Sequence, residues 1–158
     1  MILDSGNRRE FDTGAVRDIE EGKGRCDLMP LDVASRMFVK ETEELDFVLY
    51  HLGSFLEHGG DCVPPLYTAL DRFIERAYSN NLYTALLEVS KHFEEGAKKY
   101  GENNWQKGIP VKCYIDSAVR HYLKWLRGDE DEPHDRAFVW NIMCCIWEVD
   151  RLAVNRKH

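Results

Sequence analysis

The chain has 158 residues, the usual size of one domain and enough to bury a real core. A composition of 44% hydrophobic and 31% charged residues, with four tryptophans, seven tyrosines and seven phenylalanines, excludes a disordered protein. The formal net charge of −7 argues against a general nucleic-acid binder.

Five cysteines occur without a Cys-x-x-Cys pair, which argues against a zinc knuckle and for reduced thiols in a cytoplasmic protein. The N-terminus lacks an apolar signal core. The longest apolar stretch, residues 137–147, is interrupted by Asn141 and is too short to span a bilayer. Neither a membrane nor a nucleic acid is an expected partner.

In chain order, residues 1–30 carry four glycines and a dense set of charges, and predict an irregular N-terminal arm. Residues 31–158 predict a single all-α domain. Helical apolar spacing runs from Val33 through Met37, Phe38, Leu45, Val48, Leu49, Leu52 and Phe55, and His58-Gly59-Gly60 ends it. Pro64 and Pro65 open a second helix with Leu66, Leu70, Phe73, Ile74 and Ala77 on one face. A break at residues 79–81 precedes a third, through Leu82, Leu86, Val89, Phe93 and Ala97. The segment "YGENNWQKG" reads as a loop, and Pro110 opens a helix that Gly128 stops. Pro133 starts the last helix, which is apolar nearly all round and so predicts a central position or a subunit contact near Trp140, Met143 or Trp147. No convincing strand alternation is present, and the expected fold is a helical bundle.

Chemistry concentrates in "RGDEDEPHD", where Asp129 to Glu132 precede a helix start bearing His134 and Asp135. Hard cations take carboxylate oxygens; acids also favour a helix N-terminus because of its dipole. Arg120 and His121 on the preceding helix could orient a phosphate or a metal-bound water. Asn141, inside an apolar run, either joins a structural network or faces a polar pocket, because a buried amide must be hydrogen-bonded. Lys99, Asn104 and Trp105 supply phosphate charge, a polar amide and a stacking ring, although lysines also suit a helix C-terminus and a tryptophan can plug a core. Lys23 and Arg25, in "GKGR", form a second basic candidate too short for a phosphate-cradling glycine loop.

Four segments, "GKGRCDLMP", "EEGAKKYGENNWQKG", "DSAVRHYLKWLRG" and "DEPHDRAFVWN", occur in this order. Together they resemble phage and bacterial proteins described as dATP/dGTP diphosphohydrolases, which belong with the MazG-like all-α nucleotide pyrophosphohydrolases. The resemblance covers roughly residues 8–30 and 94–147. It implies a helical, oligomeric enzyme dependent on Mg²⁺ or Mn²⁺ that converts purine deoxynucleoside triphosphates to monophosphate and pyrophosphate. In phage nucleotide metabolism this would supply dGMP and remove dATP. Where that family typically places paired acids on two helices, this chain has His121, Phe138 and Asn141. Either the ligand set moves to Glu95, Asp131 and His134, or this chain uses a different set. His121, His134 and Asp131 are the candidate catalytic residues, and Lys23, Arg25, Lys99, Asn104, Trp105, Arg120 and Asn141 the candidate substrate-binding ones.

Two other classes stand beside this one. His134-Asp135 is an HD dipeptide, as in HD phosphohydrolases, with His92 or His121 as a further ligand; Asp150 lies about 22 Å along the same helix by helical rise and cannot share the ion. A non-catalytic helical nucleotide-binding or oligomeric adaptor would leave the acidic loop merely solvated.

Overall fold

The computed structural model describes residues 3–37 and 45–157. Its elements are a short hairpin, β1 (Arg8–Glu10) and β2 (Val16–Asp18), a 3-10 turn at Cys26–Leu28, and six helices: α1 (Leu31–Arg36), α2 (Phe47–Glu57), α3 (Pro64–Tyr78), α4 (Leu82–Tyr100), α5 (Val111–Arg127) and α6 (His134–Arg156). A second 3-10 turn, Asn104–Lys107, links α4 to α5. The expected all-α bundle is what forms. None of the described helices is long and apolar enough to cross a membrane.

Helix ends follow local chemistry. Asp46 caps α2 by accepting from the Leu49 N–H, and Asn81 caps α4 by accepting from Thr84. Gly128 ends α5 in the left-handed region at φ 89°, and the N–H groups of Gly128 and Asp129 both bond the Lys124 carbonyl at 3.0 Å. That terminus needs a residue without a Cβ and turns the chain within six residues into α6. Among the described residues, the single helix expected from Val33 to Phe55 does not run through: α1 ends at Arg36, and α2 begins after Asp46. Val33 and Met37 are exposed, and Phe38 lies outside the described residues.

The α5–α6 pair forms the centre, with α3 and α4 also packed on α6. Phe138 is fully buried in a ring cluster with Phe73 and Tyr122, and truncating such a residue costs about 3–5 kcal/mol. Buried charges on α6 have partners: Arg136 reaches Glu95 at 2.5 Å, and Glu148 pairs with Arg151. On the nearly all-apolar α6, Trp140 and Met143 are partly buried against the core and Trp147 packs against Trp105. Exposed apolar side chains gather instead at the start of α4, where Leu82 and Leu86 had been expected to face inward; Ala85, Val89 and His92 take the buried positions.

The arm carries the hairpin that periodicity did not reveal, because strands of three residues are too short to show alternation. It is docked by side chains from distant parts of the chain. The Asn104 amide accepts from Val16 N and donates to Val16 O, both at 2.9 Å. Thr13 donates to the Gly108 carbonyl at 2.5 Å, and a Cβ at Gly108 would come within 3.0 Å of the Thr13 methyl. Asp116 accepts from Cys26 N, and Arg120 donates to the Lys23 and Gly24 carbonyls.

Candidate active site

The turn at Gly128 brings the end of α5 beside the start of α6. His121, about two turns before Gly128, then meets His134 in the first turn of α6. Their Nδ1 atoms are 2.9 Å apart. Glu132 Oε1 lies 3.3 Å from His121 Nδ1 and 3.7 Å from His134 Nδ1. On the other side of the ring, His134 Nε2 meets Asp131 Oδ1 at 2.6 Å. His134 is buried, and the side chains of His121 and Glu132 are 14% and 11% exposed.

Burial first, and then repulsion from the neighbouring His134, push the His121 imidazole well below the usual histidine range. The His134 contact lowers the Asp131 carboxyl. Two imidazole nitrogens and one carboxylate oxygen converge on a common point. Donors bound tetrahedrally at about 2.0–2.1 Å from one ion are about 3.4 Å apart, close to the spacing found here. The set is richer in nitrogen than Mg²⁺ prefers and suits Mn²⁺ or Zn²⁺ better. Asp129, Asp131 and His134 form a second, more open group at the same turn.

This cluster stands at the edge of a cavity of about 1230 Å³, larger than the roughly 300–1,000 Å³ of most small-molecule sites. His121 and Glu132 line it, as do Lys23, Lys99, Asn104, Trp105, Arg120 and Asn141. The sequence candidates are therefore largely brought together, but several are already occupied. Asn104 spends its amide on Val16, and Arg120 pairs with Asp116 at 2.5 Å while holding the arm. Trp105 packs edge-on against Phe93 and Trp147, as a core plug would. Lys23 bonds Asp18 at 2.5 Å, and Lys99 donates to the Leu3 carbonyl at 2.7 Å.

Two candidates lie apart. Arg25 is exposed and pairs with Glu20 and Asp27, outside the cavity lining. Glu95 bonds Arg136 and belongs to neither potential ligand group, whereas Glu132 stands in one of them. Asp135, the second half of the HD dipeptide, accepts from Tyr78 at 3.0 Å and also stands outside both groups, which removes the geometric basis of the HD reading.

The arm adds a residue the sequence did not single out. Arg17 of β2 donates to Ser117 Oγ at 3.1 Å and to Asn141 Oδ1 at 3.3 Å, while its other terminal nitrogen, Nη1, is buried without a hydrogen-bond partner. Asn141 in turn donates to the Ala137 carbonyl at 2.8 Å. The polar pocket considered for Asn141 and the structural network are one arrangement. Ser117 precedes His121 by four residues, about 6 Å of helix, so the guanidinium lies one turn from the histidine pair.

Fold and site together define an all-α protein in which a histidine–carboxylate cluster stands at a large cavity lined by basic, acidic and aromatic residues. The model of the dATP/dGTP diphosphohydrolase, N-terminal, family matches residues 76–156, just over half of the chain, and the chain belongs to that family. The match spans α4 to α6 and the turns between them, the segment that carries the cluster and most of the residues lining the cavity. No curated protein and no solved structure matches the chain.

Proposed function

We propose that the protein hydrolyses dATP and dGTP to the monophosphate and pyrophosphate with the help of a divalent cation. The observation that carries this reading is the convergence of His121 Nδ1, His134 Nδ1 and Glu132 Oε1 beside a nucleotide-sized cavity, within the segment that matches the family. These three residues would hold the cation. Bound there, it would neutralise phosphate charge and lower the pKa of a water able to attack the α-phosphorus. Mn²⁺ suits the donor set better than the Mg²⁺ the resemblance implies.

The remaining roles belong to the chain. Asp131 accepts from His134 Nε2, which fixes the ring and leaves Nδ1 turned toward the cluster. Arg17, with Ser117 and Asn141, offers a planar donor set to phosphate oxygens, and Lys99 and Lys23 add positive charge by exchanging their present acceptors for phosphate. Arg120 acts on the substrate through the arm it holds. In a cell the reaction would act on the cytoplasmic nucleotide pool, and in a phage setting it would supply dGMP and deplete dATP. Assembly into dimers or tetramers is part of the same proposal.

The test is incubation with a panel of ribo- and deoxynucleoside triphosphates, with Mn²⁺, Mg²⁺ or EDTA, followed by product chromatography. The expected result is dAMP or dGMP with pyrophosphate, abolished by EDTA. Orthophosphate or triphosphate as the first product would refute the reaction, and no metal-dependent turnover would favour the adaptor.

A further inference from the structure

Among the described residues, five buried side-chain nitrogens have no hydrogen-bond partner: Arg9 Nε, Arg17 Nη1, His92 Nδ1, Arg136 Nε and Trp140 Nε1. All but Arg136 belong to residues that line the cavity of about 1230 Å³. A buried polar atom left unpaired costs about 1–3 kcal/mol, so a cluster of them around one cavity points to a ligand that pairs them. Arg9 and Arg17 are cations suited to phosphate. The other two are neutral groups of a different kind.

His92 of α4 and Trp140 of α6 are neighbours, with ring centroids 5.3 Å apart and planes inclined by 41°. Phe93 and Tyr114 lie 6.0 Å from the Trp140 ring, which makes this end of the cavity aromatic. An apolar wall with a few placed polar atoms is the usual construction of a small-molecule site. His92 is 8% exposed, and burial, followed by Arg136 and Arg17, lowers its imidazole to about 3. It is therefore neutral in the physiological range, and its Nδ1 either donates or accepts according to tautomer. The Trp140 indole can only donate.

A fixed donor beside a group that donates or accepts by tautomer is the hydrogen-bonding pattern that one edge of a purine calls for. Adenine and guanine both present the N7 acceptor; beside it guanine carries the O6 acceptor and adenine the N6 donor. We propose that His92 and Trp140 form the base-reading subsite: the Trp140 N–H donates to N7 of either purine, and His92 Nδ1 donates to guanine O6 or accepts from adenine N6. One fixed donor then selects purines over pyrimidines, and one tautomeric group admits both purines. Both nitrogens are shielded from water in the present arrangement, so the base reaches them as surrounding side chains part to admit it. This inference rests on the reading of the substrates as dATP and dGTP.

The experiment compares kcat/KM for dATP and dGTP with their 7-deaza analogues and with the 2′-deoxyribosylpurine triphosphate that bears no group at position 6. Calorimetric binding of the same nucleotides in EDTA is measured alongside. In the wild-type protein, loss of N7 should lower kcat/KM by about 5- to 100-fold, the effect of leaving one buried donor unpaired. Trp140→Phe should bring that ratio close to one by removing the donor. His92→Phe should make dATP, dGTP and the unsubstituted purine equivalent. Should either variant fail to fold, as judged by circular dichroism, the wild-type ratios still decide the matter. Turnover without discrimination at N7 overturns the subsite and leaves the hydrolase reading intact. N7-dependent binding without turnover overturns the hydrolase reading and supports the subsite; absence of both overturns both.

Discussion

In the arm of residues 3–28, most basic side chains meet a carboxylate: Arg8 pairs with Asp4, Arg9 with Glu20, Lys23 with Asp18, and Arg25 with Glu20 and Asp27. In the acidic turn of residues 128–133, Asp129 pairs with Arg127, whereas Glu132 and Asp131 turn toward imidazoles. Both segments are dense in charge when read as sequence. Their difference lies in what remains after pairing. The arm's charges largely cancel and hold it in place, and its exception, Arg17, bonds a hydroxyl and an amide instead. The acidic turn leaves a set of donors aimed at one point. Charge density alone marks neither segment as a site; pairing separates them.

The comparison is broken most sharply at the histidine pair. His134→Ala, or Glu132→Gln, should lower metal-dependent turnover by more than about 100-fold, since each deletes a proposed ligand outright. Circular dichroism should show the helix content unchanged. Wild-type activity in both would place the site elsewhere. Asp131→Asn tests the support of the His134 ring and should lower activity by about 10- to 100-fold while raising the Mn²⁺ concentration needed for half-maximal rate.

Arg17→Ala sharpens the contrast within the arm. It should weaken nucleotide affinity by about 10- to 100-fold, the loss of a charge-assisted contact, and Arg17→Lys should restore only part of it. KM unaffected by Arg17→Ala would reduce this residue to another structural anchor. By contrast, Arg25→Ala should change kcat/KM by less than about twofold, because exposed ion pairs contribute little.

A stability prediction follows from the two depressed histidines, His92 and His121. Both have folded-state pKa values below the usual 6.5, so below about pH 6.5 the unfolded chain binds more protons than the folded one. Stability should fall as pH drops below about 6.5, the His92 contribution continuing toward about pH 3, by up to about 1.4 kcal/mol per pH unit for each histidine. Urea titrations across this range check it. His92→Phe should make the slope shallower by up to one proton's worth.

Much of the fold was legible because its punctuation is local. Pro64, Pro110, Gly128 and Pro133 mark helix ends where chain chemistry alone requires them. The same turn made His121, Asp131 and His134 readable as neighbours. Glu132 was not distinguishable among four consecutive carboxylates, since only the turn's geometry aims it at the histidines. Asn104 and Arg120 were expected to touch substrate, but their partners are backbone groups of the arm 88 to 97 residues away, which no local spacing reveals. Arg17 sits on a three-residue strand that carries no periodic signal. His92 and Trp140 fall on helical faces that otherwise read as core, and only their unpaired nitrogens set them apart.

The central claim is that His121, Glu132 and His134 hold a cation that serves nucleotide cleavage. Calorimetric titration of Mn²⁺ into the wild-type protein and into His121→Ala, Glu132→Gln and His134→Ala tests it most directly. The account predicts one ion bound per chain in the wild type, with affinity reduced by at least about tenfold in every variant. Equal Mn²⁺ affinity in all four proteins would contradict it.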